Sequence, residues 1–491
     1  RSDGFRRNVY LGREDTNDRD ELTLRGKLAL EPADGWNVHL TTLLADLDNG
    51  YDAFALDNSF RTRSDRPGQD AQQSFGTALA VDGDLGAATL ESLTSFADSD
   101  IVYSFDGDWG NDAYWGEYAP YDYYSRYDRD RGTLAQDLRL VSAATAREDG
   151  YGWLAGVYGM RLTEDARQRD EFAGELLRPL LDSEYEATNV ALYGEGEWGM
   201  GLTVLSAGLR IERRTARYDD SDGTEFEPTD TMLGGHASLS GEFASGRTWY
   251  VTASRGYKAG GFNIGALVPD ERREFEPEYL WNLEAGARYE SDDGRLVAEA
   301  ALFHMWRESQ QVATSFQLDP GDPLSYVFYT DNAARGRNAG VEASATWRAA
   351  DDLRLGATLG LLHTEYVDYR YGDRDLDGRE QAHAPGWQYS LSAEWTSPRG
   401  LTARADLMGS DDFYFDASHD EKSRPYALLH LKAGWTGEQW SVYAWARNAL
   451  DERYAVRGFY FGLEPPDFEN RLYVQQGDPR QVGITVQWSL R

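Results

Sequence analysis

The sequence predicts an all-β fold, a transmembrane antiparallel β-barrel of about 20–22 strands of the outer-membrane type, and three observations lead there. Trp387, Tyr389, Leu391, Ala393 and Trp395 alternate strictly with Gln388, Ser390, Ser392, Glu394 and Thr396, as in a strand with lipid on one face and water on the other. Eight residue steps at roughly 3.3 Å cover about 26 Å, close to the apolar band of such a barrel, so Trp387 and Trp395 fall near its two aromatic girdles. A mean hydropathy of -0.63 coexists with 41% hydrophobic residues, 15 Trp, 30 Tyr and 19 Phe. Finally, no apolar run approaches the roughly 20 residues a spanning helix needs. A closed sheet is the remaining way to satisfy every backbone polar group in lipid.

Along the chain, tight-turn signals recur at Glu31–Gly35, Asp82–Gly86, Glu148–Gly150, Gly199–Gly201, Ala244–Gly246, Ser291–Gly294, Ala349–Asp352, Ser397–Gly400 and Thr436–Glu438. Alternating strands flank each one. Longer polar connections separate them, among them Asp48–Gln73, Asp98–Thr133, Thr163–Glu186, Arg214–Thr231 and Glu452–Gly477. Short turns on one rim and long loops on the other match the periplasmic and extracellular sides of such a barrel. A kelch-type propeller also repeats at similar spacing, but it fits four short strands into each repeat, where this chain has two long strands and a long loop.

The two faces of several strands can be assigned. Asn282, Glu284, Gly286, Arg288 and Glu290 alternate with Leu283, Ala285, Ala287 and Tyr289, and Val341, Ala343, Ala345 and Trp347 with Glu342, Ser344, Thr346 and Arg348. A charge facing lipid costs about 2–4 kcal/mol at the midplane, so the charged faces line an aqueous or plugged lumen. Arg295–Phe303 is ambiguous, because Glu299 shares a face with Val297 and Phe303.

No shift in composition marks a domain boundary, so residues 1–491 read as one continuous barrel domain. The balance of 84 acidic against 49 basic residues, a net charge of -35, argues against a nucleic-acid partner. The chain has no cysteine, compatible with a periplasmic or surface protein that forms no disulfides. About 20 strands enclose a lumen wider than that of the 16–18-stranded porins, and an open hole of that size would leak, which calls for an internal plug.

Five segments together resemble the barrel of TonB-dependent receptors. They are Ser254–Asn263, Phe275–Glu278 leading into Trp281–Glu290, Asp331–Ala333 with Asn338–Glu342, Arg447–Tyr454, and Gly477–Arg480 before the last strand. They occur in the family's order and span essentially the whole chain. The resemblance implies a 22-stranded barrel with an N-terminal plug in the outer membrane of a Gram-negative bacterium. It implies import of a scarce nutrient such as a ferric siderophore, powered by TonB–ExbB–ExbD. Outer-membrane lipid, lipopolysaccharide and the assembly machinery are the other implied partners, and no cofactor is implied. The plug and TonB box are not found in the chain, and Ser2–Asn8 reads as the end of an early barrel strand, so the plug and the first strands are expected to be missing. The alternative function is a plugless passive pore or structural barrel. Val482, Ile484, Val486, Trp488 and Leu490 form the outward row of the last strand and resemble the signal read by the assembly machinery, although the family usually ends on an aromatic residue.

For ligand contact the candidates lie between Tyr103 and Tyr127: Asp106, Asp108, Trp109, Tyr114, Trp115, Tyr118, Tyr121, Tyr123, Tyr124 and Arg126. Their rings offer large stacking area with hydrogen-bonding tips, suited to aromatic siderophores or sugars, and equally to packing loops over the mouth. Asp373, Asp375 and Asp377 resemble the first half of an EF-hand calcium loop, but Ala384 stands at its twelfth position. The seven histidines are dispersed, with no HExxH, and no P-loop is present, so no enzyme is expected.

Overall fold

The computed structural model describes residues 1–143, 150–265, 268–319, 326–371 and 374–489. One antiparallel sheet dominates. It contains 22 strands among the described residues, three of them two-residue pairings in loops. The other nineteen are long: β1 (Glu21–Ala33), β2 (Trp36–Tyr51), β3 (Gly68–Asp84), β4 (Ala88–Asp106), β5 (Tyr123–Ser142), β6 (Tyr151–Phe172), β7 (Leu181–Met200), β8 (Thr203–Asp220), β9 (Thr229–Ala244), β10 (Arg247–Lys258), β11 (Glu278–Glu290), β12 (Leu296–Gln317), β13 (Tyr326–Ala350), β14 (Leu353–Tyr371), β15 (Trp387–Thr396), β16 (Leu401–Ser410), β17 (Tyr426–Thr436), β18 (Trp440–Arg447) and β19 (Gln481–Trp488).

Each pairs with the next in sequence, an up-and-down meander from β1 to β19. Among the described residues no ladder joins β1 to β19. The tight turns fall where the sequence places them, Glu148–Gly150 excepted, most of which lies outside the described residues. At Gly35 and Gly400 the turn needs φ of 75° and 80°, which glycine adopts without steric cost.

Side-chain exposure follows the alternation. Leu22, Leu24, Leu28 and Leu30 of β1 and Val482, Ile484, Val486 and Trp488 of β19 all point outward and exposed, and Trp488 stacks on Trp440 with ring centroids 6.0 Å apart. Leu490 lies outside the described residues. The ambiguity of β12 resolves in favour of charge: Glu299 ion-pairs with Arg288 on the inner face, and Leu302 is 59% exposed on the outer one.

Two sequence expectations change. The long connections are shorter than predicted, because β4 continues to Asp106, β6 to Phe172 and β8 to Asp220. Above the lipid band both strand faces are polar, so the alternation fades while the backbone ladder goes on. The opening segment is not a strand end of the barrel sheet. Arg7–Asn8 pairs in parallel with Arg61–Thr62 in a separate two-stranded sheet. The fully buried Asn8 amide donates to Asp52 Oδ2 at 3.1 Å and to the Ser64 carbonyl at 2.7 Å, which fixes this segment in the loop layer.

Candidate ligand mouth

Three long loops, 52–67, 107–122 and 448–480, pack into one aromatic layer on the long-loop side. Trp109, held at φ 53°, stacks on Phe54 at 5.3 Å and 16°, and meets Phe459 and Tyr473 edge-on at 5.8 and 4.9 Å. From there Trp115, Tyr121 and Tyr123 continue as successive edge-to-face contacts at 5.0 and 5.3 Å, and Tyr123 reaches Phe172 at 4.8 Å. Such pairs each contribute about 0.5–1.5 kcal/mol beyond the area they bury. The Tyr121 hydroxyl donates to the Leu463 carbonyl at 2.6 Å, tying together residues far apart in the chain.

Two buried carboxylates organise the turn into the short helix α1 (Asp112–Trp115). Asp106 Oδ1 accepts the Asp108 and Trp109 amides at 3.0 and 2.9 Å. Asp108 accepts the Gly110 amide and the Trp115 indole on Oδ1, at 2.9 and 2.8 Å, and the Tyr123 amide on Oδ2 at 2.9 Å. Burial pushes the Asp108 carboxyl up to about 6 against these bonds.

The predicted ligand residues therefore divide. Asp106, Asp108, Trp115 and Tyr121 are buried in the loop core, and half-buried Trp109 is held between three rings. Tyr114 and Tyr118 are 44% and 40% exposed. Tyr123, Tyr124 and Arg126 sit half-buried at the start of β5, with Arg66 over the Tyr124 ring at 4.2 Å and Arg126 paired to Asp128 at 2.7 Å. Asp375 and Asp377 close local turns, accepting the Asp377 and Tyr369 amides at 3.1 and 2.9 Å, while Asp373 lies outside the described residues. Among the described residues no group of three His, Cys, Asp or Glu side chains is arranged to hold a metal ion.

A second cluster, on the inner wall, was not singled out from the sequence. Arg210 lies over the Tyr158 and Tyr193 rings at 5.1 and 5.6 Å and pairs with Glu212 at 2.7 Å. Glu212 also accepts from Tyr257 at 2.9 Å and Asn189 at 2.5 Å, and Arg214 donates to the Tyr185 hydroxyl at 2.6 Å. A cavity lined by Tyr185, Glu212, Arg214, Tyr257, Lys258 and Phe262 opens beside them. The signal lay in β8, where Arg210 and Glu212 alternate with Leu209 and Ile211, 68% and 49% exposed.

The motif residues that carry the family resemblance staple loops to strands. Asn263 donates to the Arg272 and Thr330 carbonyls at 2.7 and 2.8 Å, and Asn332 to those of Glu276 and Ser309 at 2.8 and 2.9 Å. Asn448, at φ 45° and 3% exposed, donates to the Glu452 and Asp478 carbonyls at 2.9 and 3.1 Å and accepts the Glu452 amide at 2.8 Å. The TonB dependent receptor-like, beta-barrel family matches residues 1–449. The chain belongs to the TonB-dependent receptor family.

This family comprises outer-membrane receptors and transporters of Gram-negative bacteria, not enzymes. The receptor barrel is similar to the pesticin receptors of Yersinia pestis and Yersinia enterocolitica, 25% identical over 289 residues, which cover 56% of this chain and 41% of each relative. It thus spans less than half the length of the curated relatives it matches. Among solved structures, the ferric yersiniabactin uptake receptor of Yersinia pestis superposes with a TM-score of 0.80 at 18% identity, over 99% of this chain and 73% of that one. The ferric citrate transporter FecA superposes with a TM-score of 0.73 at 14% identity, over 96% and 70%.

Proposed function

We propose that this receptor barrel forms the wall and mouth of a ligand-gated importer for a ferric siderophore or another iron complex, energised through TonB–ExbB–ExbD. The observation that carries the reading is the inner wall below the loop layer, where Arg210, Arg214 and Lys258 stand among Tyr158, Tyr185, Tyr193 and Tyr257. In a chain of net charge -35, this local cationic and aromatic wall suits an anionic, ring-bearing complex. Exposed Tyr114 and Tyr118 give first contact, and the wall holds the ligand below. The relatives agree with this in kind, since two of the similar solved proteins are named for ferric yersiniabactin and ferric citrate.

The test is uptake of radiolabelled ferric siderophores by cells that lack their own receptors and express the complete gene, with and without an energised inner membrane. Energy-dependent uptake that falls at least tenfold in Arg210→Ala supports the reading. Uptake that is equal in de-energised cells points to the passive pore, and no uptake of any iron complex refutes the cargo class.

A further inference from the structure

Asp106 Oδ2 is a buried carboxylate oxygen without a hydrogen-bond partner, on a residue only 3% exposed, while Oδ1 is saturated by two amides. Its neighbour Asp108 has both oxygens engaged. Five loop and strand elements pack around the pair, and the groups they present are mostly acidic. Loop 52–67 contributes Asp65, whose own Oδ1 is buried and unpartnered, and loop 107–122 contributes Asp112 and Asp122. From β5 and β6 come Tyr123, Tyr124 and Glu171, and loop 448–480 sets Tyr473 against Trp109. The cations of the cluster face other acids, Arg169 pairing with Glu171 at 2.5 Å and Arg66 lying 3.9 Å from Asp122. Arg66 pairs with Glu171 at 2.6 Å and covers Tyr124, and Arg63 covers Tyr114 at 5.4 Å. Among the described residues neither Asp106 nor Asp108 has an ion-pair partner.

Two adjacent charges without a counter-ion are disfavoured in a site this dry, and a proton on the one free oxygen removes the conflict without disturbing any amide bond. We propose that Asp106 carries a proton on Oδ2 in the closed loop layer and that its loss loosens segment 107–123 over the mouth, making the layer a proton-operated latch. Burial and the Asp108 charge both push the Asp106 carboxyl up, as burial does for Asp108 and Asp65. Groups raised on folding stabilise the closed form below their unfolded values, and that stability is lost as pH rises through the folded ones. The latch is therefore tight in acid and loosens as pH climbs toward the raised closed-state value of the Asp106 carboxyl. This goes beyond the import reading and holds whichever ligand is carried.

The experiment is hydrogen exchange of the Trp109 and Tyr123 amides in the receptor purified from outer membranes, corrected for intrinsic rates, between pH 4.5 and 8.5. One proton lost per opening raises the opening constant about tenfold per pH unit between the open-state and closed-state values of the Asp106 carboxyl, hence roughly 100-fold over two units, and the rise levels off past the closed-state midpoint. In Asp106→Asn, whose amide supplies the missing donor, the pH slope disappears. In Asp65→Asn, which removes a facing charge and keeps the pair, the midpoint moves to lower pH. A flat profile in the parent protein, a slope that survives Asp106→Asn, or an Asp65→Asn midpoint that stays put overturns the latch. Loss of the parent slope on adding millimolar calcium overturns the proton assignment in favour of a metal cation.

Discussion

Asn448 is the sharpest test of the claim that motif residues act as staples. Its amide makes three hydrogen bonds inside the last long loop, and its backbone sits at φ 45°, where a short polar side chain is tolerated and Ala is not. Three buried bonds at about 0.5–1.5 kcal/mol each, plus about 1 kcal/mol for Ala in the left-handed region, sum to roughly 3–5 kcal/mol for Asn448→Ala. Asn448→Gly removes the same bonds without the backbone strain, so it costs about 1 kcal/mol less. The assay is native-state hydrogen exchange on residues 448–480, read at the Glu452 amide. Its protection falls by roughly two to four orders of magnitude in the Ala variant and about fivefold less in the Gly variant, since 1.4 kcal/mol is a factor of ten. A loss below tenfold in both variants, or equal losses in the two, refutes the staple and the strain argument respectively.

Other substitutions probe the sheet and the loop layer. Leu302→Lys, on the outer face, destabilises the folded barrel by about 2–4 kcal/mol in urea titrations in lipid vesicles, whereas Glu299→Gln on the inner face stays within about 1 kcal/mol. Trp109→Ala strips three ring contacts and lowers loop-layer stability by about 3–5 kcal/mol, measured by protease cleavage in loops 52–67 and 448–480. Unchanged uptake affinity in the Trp109→Ala, Tyr114→Ala double variant removes direct ligand contact by this loop. In loop 411–425, where His419 stacks on Tyr460 of loop 448–480, burial raises the Asp416 carboxyl, but the His419 ring at 2.6 Å and the Ser418 and His419 amides outweigh it and hold it below the usual range. Its stabilisation of loop 411–425 is present above the unfolded value and is lost as pH falls below about 4, which Asp416→Asn makes pH-independent in the same exchange assay.

Much of the sheet was legible because lipid on one side and water on the other impose a two-residue period. β15 begins at Trp387 and ends at Thr396, one residue past Trp395, so it spans the alternating segment from its first residue to its last. Where lipid no longer constrains a face the signal vanished, which is why Arg126–Asp130 and Asp165–Phe172 read as loop although they pair in register. The ligand loop was legible as aromatic and acidic, but not in its division between core and surface. Trp109 is enclosed by Phe54, Phe459 and Tyr473, and Tyr121 bonds to Leu463, and no local pattern encodes contacts made across the whole chain. The Arg210 cluster stayed hidden for the opposite reason. Its residues look like any inward polar row until the register sets them beside Tyr158 and Tyr193.

Everything above depends on which rim faces outward, and the absence of cysteine from the chain makes that directly measurable. Single substitutions Tyr118→Cys and Asp222→Cys on the long-loop side, and Asp292→Cys and Asp351→Cys in the tight turns, are labelled on cells with a membrane-impermeant maleimide. The structure predicts that the first two react on intact cells and that the last two react only after the outer membrane is permeabilised. Labelling of Asp292→Cys or Asp351→Cys on intact cells would contradict the orientation and, with it, the assignment of the aromatic loop layer as the ligand mouth.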